Sequence, residues 1–105
     1  MEADLAEIDA VVHTIVDAVH PRKILLFGSA ARGELHDESD LDLLVVMADG
    51  ARRHETARLI RKRLLLLHRE IDVIVATENE LAEVGGNFSL VYYPALREGR
   101  VVYAA

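Results

Sequence analysis

Two aspartates separated by one residue, Asp40 and Asp42, stand where an apolar run begins in the stretch SDLDLLVVM. Residues two apart on a strand point to the same face of a sheet, so the two carboxylates would project side by side. Adjacent carboxylates repel each other, and their burial is costly unless a positive charge lies between them. A divalent cation supplies that charge, and oxygen ligands of this kind suit Mg²⁺ or Mn²⁺. The spacing therefore indicates a metal site.

Three further residues could complete this site. Asp72 lies near the start of a second apolar run, EIDVIVA, in much the same relation to its run as Asp42. If the two strands are neighbours, three carboxylates could converge and hold two metal ions about 3.5–4 Å apart, the arrangement used for in-line attack at phosphorus. Gly28 and Ser29, at the end of the run KILLFG, would add a loop whose backbone N–H groups and hydroxyl can bind a phosphate.

Each of these residues also has an ordinary structural interpretation. Asp40 together with Ser39 could form a turn or a cap, and Asp72 alone could be an exposed acid at the end of a strand. A Gly-Ser pair is a weak signal by itself. The hypothesis of a metal and phosphate site therefore depends on the combination of these residues.

The periodicity of the apolar residues predicts the elements that must position these groups. Pro21 ends the first helix, Thr77 is a plausible N-cap, and Gly85 and Gly86 end the helix that Thr77 begins. We expect an α/β (α+β) fold, in which a small mixed sheet is covered by helices. Helices are predicted at residues 4–19, 51–68 and 77–84, and strands at 23–28, 41–47, 70–76 and, as an open alternative, 100–104. Residues 29–35 could be a short helix or a turn, and the segment 87–98 could be helical in part, with a break at Pro94.

Composition limits the class of protein. The 105 residues suffice for a single domain, residues 1–105, with one core. A chain with 51% hydrophobic and 29% charged residues is typical of a globular protein. No apolar run reaches membrane length, the acidic N-terminus does not resemble a secretory signal, and cysteine is absent, so we expect a cytoplasmic protein without a membrane partner. The net charge of −6 argues against direct binding to nucleic acid.

The predicted second helix is basic, unlike the rest of the chain. A solvated face paired with acids is its ordinary interpretation, and a docking face for an acidic partner or RNA is the alternative. The leucine-rich helices could also support homo-oligomers, although a helix that covers a sheet has the same pattern. The basic residues are Arg52, Arg53, Arg58, Arg61, Lys62 and Arg63.

One longer motif resembles a known family. Gly28-Ser29, ten intervening residues and Asp40-Leu41-Asp42 match the GS-x10-DxD signature of the DNA polymerase beta-type nucleotidyltransferases. The flanks LFGSAARGE and SDLDLLVV are similar to the minimal nucleotidyltransferase (MNT) branch, whose proteins are about this length. The resemblance covers residues 20–103, including IDVIV and the closing EGRVVY. It implies the polymerase beta-type nucleotidyltransferase fold.

The resemblance also implies roles for the site residues. Asp40, Asp42 and Asp72 would coordinate two Mg²⁺ ions, with Mn²⁺ as the alternative metal. Asp72 would in addition accept the proton of the attacking hydroxyl. These roles would make the three aspartates the catalytic residues.

The phosphates would be bound on the other side of the same site. Gly28 and Ser29 would contact the phosphates of a nucleoside triphosphate, and Arg32 could neutralise their charge, although an exposed surface arginine is an equal alternative. The reaction would be attack of a hydroxyl on the α-phosphate, giving a nucleotidylated acceptor and pyrophosphate.

The usual companion in the family that the chain resembles is a small all-helical HEPN protein, often an RNase toxin. The nucleotidyltransferase would act as the antitoxin by attaching AMP from ATP to a tyrosine near the RNase site of the toxin. Two alternatives stay open. The chain could be a non-catalytic antitoxin that masks its partner by binding, or a nucleotidyltransferase with a small-molecule acceptor. No motif specifies the base of the nucleotide.

Overall fold

The computed structural model describes residues 5–27, 41–67, 70–82 and 99–105. These residues form a mixed sheet with helices packed on it, so the predicted fold class is confirmed. The predicted final strand is also confirmed. In chain order the elements are α1 (Leu5–Val19), β1 (Lys23–Phe27), β2 (Leu41–Met47), α2 (Arg53–Leu64), β3 (Ile71–Thr77), α3 (Glu78–Ala82) and β4 (Arg100–Ala104).

The boundaries of these elements follow the sequence signals closely. β2 covers the predicted residues, and α1 ends at Val19, just before Pro21. The second helix is shorter than predicted, because the regular α-helix ends at Leu64 and one turn of 3₁₀ helix continues to Leu67. The short helix or turn predicted at residues 29–35, the predicted end of the third helix and the segment 87–98 lie outside the described residues.

The strands lie in the order β3-β2-β1-β4. β2 and β3 are parallel, whereas β1 is antiparallel to both β2 and β4. The end of β1 and the beginning of β3 therefore lie on either side of the beginning of β2. We call this part of the molecule the site end of the sheet.

The sheet has two faces that differ in what covers them. On the first face, alternate residues of β1, β2 and β3 pack against Val11 and Ile15 of α1 and against Ile60 of α2. On the second face, a smaller apolar cluster around Leu44 is in contact with Leu81 of α3. Because strand side chains alternate between faces, the first face holds the larger part of the described core.

Thr77 caps α3, as predicted. The backbone N–H of Glu80 donates to the Thr77 hydroxyl at 3.2 Å, and the backbone N–H of Thr77 donates to a carboxylate oxygen of Glu80 at 2.9 Å. This reciprocal pair is a capping box. The second carboxylate oxygen of Glu80 lies 3.4 Å from Nε of Arg53, so the start of α3 is also tied to α2.

The helices of the described segments, α1, α2 and α3, are each too short or too polar to traverse a lipid bilayer.

The contribution of α2 to stability can be tested with two adjacent residues. Ile60 is 0% exposed against the sheet, whereas Leu59 is 50% exposed on the outer side of the helix. We expect Ile60→Ala to lower the free energy of unfolding by about 2–5 kcal/mol, because it leaves a cavity under the helix. Leu59→Ala is the matched control and should change it by less than about 0.5 kcal/mol. Urea-induced unfolding measures both values, and equal losses would show that α2 does not pack as described.

Candidate active site

Asp42 and Asp72 lie directly opposite each other on the two parallel strands. Each is the second residue of its strand, and the register pairs Asp42 with Asp72. Neighbouring strands are about 4.8 Å apart, and residues in register project to the same face, so the two carboxylates lie side by side. The adjacency of β2 and β3, which the sequence left as an assumption, is therefore observed.

The apolar neighbours of the two aspartates determine which face they occupy. Leu41 and Leu43 on β2, each 1% exposed, belong to the core of the first face, as does Val73 on β3. Alternation then places Asp42 and Asp72 on the second face, away from α1 and α2. A slip of one residue in either strand would drive a carboxylate into the helix-covered core, so the burial of these neighbours enforces the register.

A backbone hydrogen bond joins β2 to β3 at the beginning of the two strands. The N–H of Leu41 donates to the carbonyl oxygen of Glu70 at 3.1 Å, one residue before β3 begins. The two strands are therefore already paired where the aspartates stand. Their carboxylates differ in exposure, since Asp42 is partly buried and Asp72 is exposed. Of the two, Asp72 is the more accessible from solvent.

The end of β1 completes the described part of the site. Phe27, the last residue of β1, pairs with Asp42. Phe27 therefore lies beside Asp42, and Gly28 is the next residue in the sequence. Phe27 is partly buried and belongs to the apolar cluster of the second face. Phe27 was not predicted as a neighbour of the site, because its place beside Asp42 arises from the pairing of β1 with β2.

Four of the predicted site residues lie outside the described residues, namely Gly28, Ser29, Arg32 and Asp40. The roles given to them stay predictions. Their chain neighbours Phe27 and Leu41 are described, and both lie at the site end of the sheet. The structure therefore brings Asp42 and Asp72 together. It also places beside them Phe27, which precedes Gly28-Ser29, and Leu41, which follows Asp40.

The paired carboxylates fit a divalent metal. Asp42 and Asp72 present only oxygen atoms, the donor type that Mg²⁺ and Mn²⁺ prefer. Within the part of the chain that the structure describes, no group of three or more histidine or acidic side chains is arranged to hold a metal. A third protein ligand would have to come from outside that part, and Asp40 is the residue that the sequence predicts for this position.

Comparison with known proteins identifies the class to which this site belongs. A family model described as "Nucleotidyltransferase domain" matches residues 7–95. The chain belongs to this family and is a nucleotidyltransferase. The family was expected from the Gly28-Ser29 and Asp40-Leu41-Asp42 motif, and it is confirmed.

Individual relatives agree with this assignment. A Methanocaldococcus jannaschii protein named "Putative protein adenylyltransferase" is 40% identical over 82 residues, which cover 78% of each chain. A toxin-antitoxin structure with AMP-PNP has a TM-score of 0.67 at 19% identity, covering 92% of this chain and 73% of that one. The complex of a tri-AMPylated Shewanella oneidensis HEPN toxin with an MNT antitoxin has a TM-score of 0.64 at 16% identity, covering 96% and 72%. At such identities these two structures show the shared fold.

The carboxylate pair predicts a link between metal and stability. Without metal, Asp72→Asn should raise the free energy of unfolding by a few tenths of a kcal/mol, because like charges opposite each other in a sheet are destabilising. Mn²⁺ at ten times its Kd should stabilise the wild type by about 1.4 kcal/mol, and this gain should be lost in Asp72→Asn. Thermal unfolding with EDTA and with Mn²⁺ measures both effects.

The matched control is Asp17→Asn, which removes an exposed carboxylate from α1. Asp17→Asn should keep the full response to Mn²⁺. If Asp72→Asn also kept that response, Asp72 would not be a metal ligand.

Proposed function

We propose that this protein is a Mg²⁺-dependent adenylyltransferase that transfers AMP from ATP to a hydroxyl of a partner protein and thereby acts as an antitoxin. The single observation that carries the proposal is the pairing of Asp42 with Asp72 on adjacent parallel strands. In a nucleotidyltransferase, two carboxylates at the site end of the sheet suit a metal-dependent attack at phosphorus.

The proposed division of roles follows from position and exposure. Asp42 and Asp72, with Asp40, would hold two Mg²⁺ ions, with Mn²⁺ as a substitute. A divalent ion, when bound there, supplies positive charge that stabilises the negative charge developing on the α-phosphate and on pyrophosphate. Gly28 and Ser29, which follow β1 in the sequence, bind the triphosphate, and Arg32 neutralises part of its charge.

Asp72 acts in addition as the general base. Its side chain is exposed, so an acceptor hydroxyl can approach it from solvent. Asp72 takes the proton of that hydroxyl as the oxygen attacks the α-phosphorus. The new oxygen–phosphorus bond forms while the bond from the α-phosphorus to the bridging oxygen breaks, and pyrophosphate leaves. Positioning and charge neutralisation provide most of the catalysis.

The relatives support the choice of nucleotide and acceptor. The relative at 40% identity is named for protein adenylyltransfer, and one structural neighbour is a toxin-antitoxin complex with AMP-PNP. In another, a HEPN toxin carries AMP groups and is bound to an MNT antitoxin. By analogy we assign ATP as the donor and a HEPN-type toxin as the partner. The helical nature of that partner and a tyrosine hydroxyl as the acceptor follow from the family that the Gly28-Ser29 and Asp40-Leu41-Asp42 motif resembles.

The decisive experiment is transfer of label from ATP labelled at the α-phosphate, with Mg²⁺, to proteins in an extract of the native cells. Wild-type protein should label one small protein, whose mass identifies the acceptor. Asp42→Asn should reduce the rate by about 10²-fold or more, because it removes a charge that holds the metal. Asp17→Asn, with the same loss of charge on α1, should retain the wild-type rate.

Each other outcome of the transfer experiment excludes part of the proposal. Intact Mg-ATP binding without transfer to any protein would favour masking of the partner or a small-molecule acceptor. Equal transfer by the wild type and Asp42→Asn would exclude the metal role of Asp42. Absent Mg-ATP binding would refute the proposed nucleotide substrate.

The proposed contact of Ser29 with the triphosphate gives a separate prediction. Ser29→Ala should weaken Mg-ATP binding by about tenfold, because a hydrogen bond to a charged group is worth roughly 1.5–3 kcal/mol. Thr14→Ala is a suitable control, since it also removes a single hydroxyl, which in the wild type donates to the carbonyl of Ala10 within α1. Isothermal titration calorimetry measures both affinities. An unchanged affinity in Ser29→Ala would remove Ser29 from the site.

A further inference from the structure

The charge of this acidic protein is segregated onto one helix. Residues 52–67 contain six basic residues and one acid, Glu55, and thus carry a net charge of +5. The remainder of the chain carries −11, since the total is −6. Within this stretch a single acid faces six basic residues. Arg52 lies 3.8 Å from Glu55, and Nε of Arg53 lies 3.4 Å from Glu80 of α3.

The outer side of this helix also exposes large apolar side chains. Leu59 is 50% exposed, and on the following 3₁₀ turn Leu65 and Leu66 are 74% and 80% exposed. Full burial of a leucine side chain is worth about 1.5–3 kcal/mol. In the isolated protein these three side chains therefore lack much of this stabilising free energy. Three of the four large hydrophobic side chains that are exposed among the described residues lie in this one stretch.

Helical geometry places these leucines among the basic side chains. Thr56, Ile60 and Leu64 point into the core and define the inner side of α2. Arg58 and Lys62 lie one turn apart on the opposite side, with Leu59 beside them. We call the surface formed by Arg58, Leu59, Lys62, Leu65 and Leu66 the α2 surface.

Stabilisation of the helix alone does not account for the α2 surface. Basic residues in the last turn interact favourably with the helix dipole, and this explains Arg61, Lys62 and Arg63. Arg58 lies one turn earlier, and like charges at this spacing destabilise a helix. Among the described residues, neither Arg58 nor Lys62 forms an ion pair. The exposed leucines gain nothing from the dipole.

We propose that the α2 surface docks an acidic amphipathic helix of a partner protein. Glutamates or aspartates of that helix would pair with Arg58 and Lys62, and its apolar residues would cover Leu59, Leu65 and Leu66. Such a contact joins an apolar centre to complementary charges, the arrangement found at protein interfaces. The further statement that this partner is also the acceptor of AMP depends on the function proposed above.

The composition of the surface favours a protein over a nucleic acid. Proteins that bind single strands stack bases on aromatic side chains, and residues 52–67 contain no Phe, Tyr or Trp. Exposed leucines have no counterpart on a phosphate backbone, whereas they match the apolar stripe of an amphipathic helix. The negative charge of the remaining chain would also repel a long polyanion.

α2 itself packs against the strand that carries Asp72, whereas the α2 surface lies on the outer side of the helix. β3 is the outermost described strand on its side of the sheet, and α2 packs against it. Arg53, His54 and Arg61 of α2 and residues 73–75 of β3 line a shared cavity of about 210 Å³. Because Asp72 lies on the face of the sheet away from α2, a partner docked on the α2 surface would have to reach around the outer strand β3 to present a hydroxyl at Asp72.

Two designed peptides test the surface directly. One is a helix of about 18 residues, or five turns, with leucines along one side and glutamates on both flanks. The other has the same composition with the leucines scattered around the helix. Fluorescence anisotropy should show that the wild type binds the first peptide about tenfold more tightly than the second, because only the first can cover the exposed leucines.

Three variants identify the residues responsible. Lys62→Glu should weaken binding of the patterned peptide about tenfold or more, through repulsion between like charges. Leu66→Ser, which leaves the charge unchanged, should weaken it about tenfold. Lys23→Glu is the matched control, because Lys23 is exposed at the start of β1, away from α2, and should leave the affinity unchanged. Circular dichroism confirms that the variants are folded.

The proposal is overturned by equal binding of the two peptides, by an equal loss in Lys23→Glu, or by no binding at all. It is also overturned if a 20-nucleotide single-stranded RNA binds more tightly than the patterned peptide and Lys62→Glu abolishes that binding. This last result would make the α2 surface a nucleic-acid site.

The link to catalysis has its own readout. With the labelled acceptor purified, Lys62→Glu should raise the KM for the acceptor about tenfold and leave kcat unchanged, since Lys62 is remote from the reacting atoms. An unchanged KM would show that the docked protein is not the acceptor. If the wild type transfers no label at all, the proposed function fails, and the peptide measurements still decide whether the α2 surface binds an acidic helix.

Discussion

The parallel pairing of β2 with β3 is the constraint on which the site depends. Leu41, Leu43 and Val73 are buried against the helices, and this burial fixes both the face and the register of the two strands. Asp42 and Asp72 must consequently lie side by side on the second face. The energy for holding two like charges together therefore comes from the hydrophobic core beneath them. The fold, and not any attraction between the two aspartates, therefore brings the proposed metal-binding carboxylates close together.

The same arrangement divides the molecule into surfaces with different tasks. α1 and α2 cover the first face and supply most of the described core, which leaves the second face for the carboxylates and the end of β1. The carboxylates on the second face therefore do not interfere with the packing of the helices on the first face. The outer side of α2 is left exposed, and it carries the concentration of positive charge and exposed leucines on which the proposed docking of a partner rests.

The sequence was sufficient to predict the fold class and most element boundaries, because apolar spacing reports burial directly. Strand LDLLVVM and the Thr77 cap are examples, since a continuous apolar run and a helix cap are local signals. Pairing between distant strands is not local. The spacing of Asp40 and Asp42 could suggest a metal, but only the sheet order shows that Asp72 lies opposite Asp42. Phe27 was missed for the same reason, because its contact with the Asp42 position arises from an antiparallel pairing.

The central claim is that Asp42 and Asp72 hold a divalent metal together. Anomalous scattering from Mn²⁺ in crystals grown with a non-hydrolysable ATP analogue locates that metal directly. We predict a peak within coordination distance, about 2.1 Å, of a carboxylate oxygen from each aspartate, with the triphosphate as a further ligand. A peak bound by neither Asp42 nor Asp72, in crystals where the analogue is visible, would contradict this account.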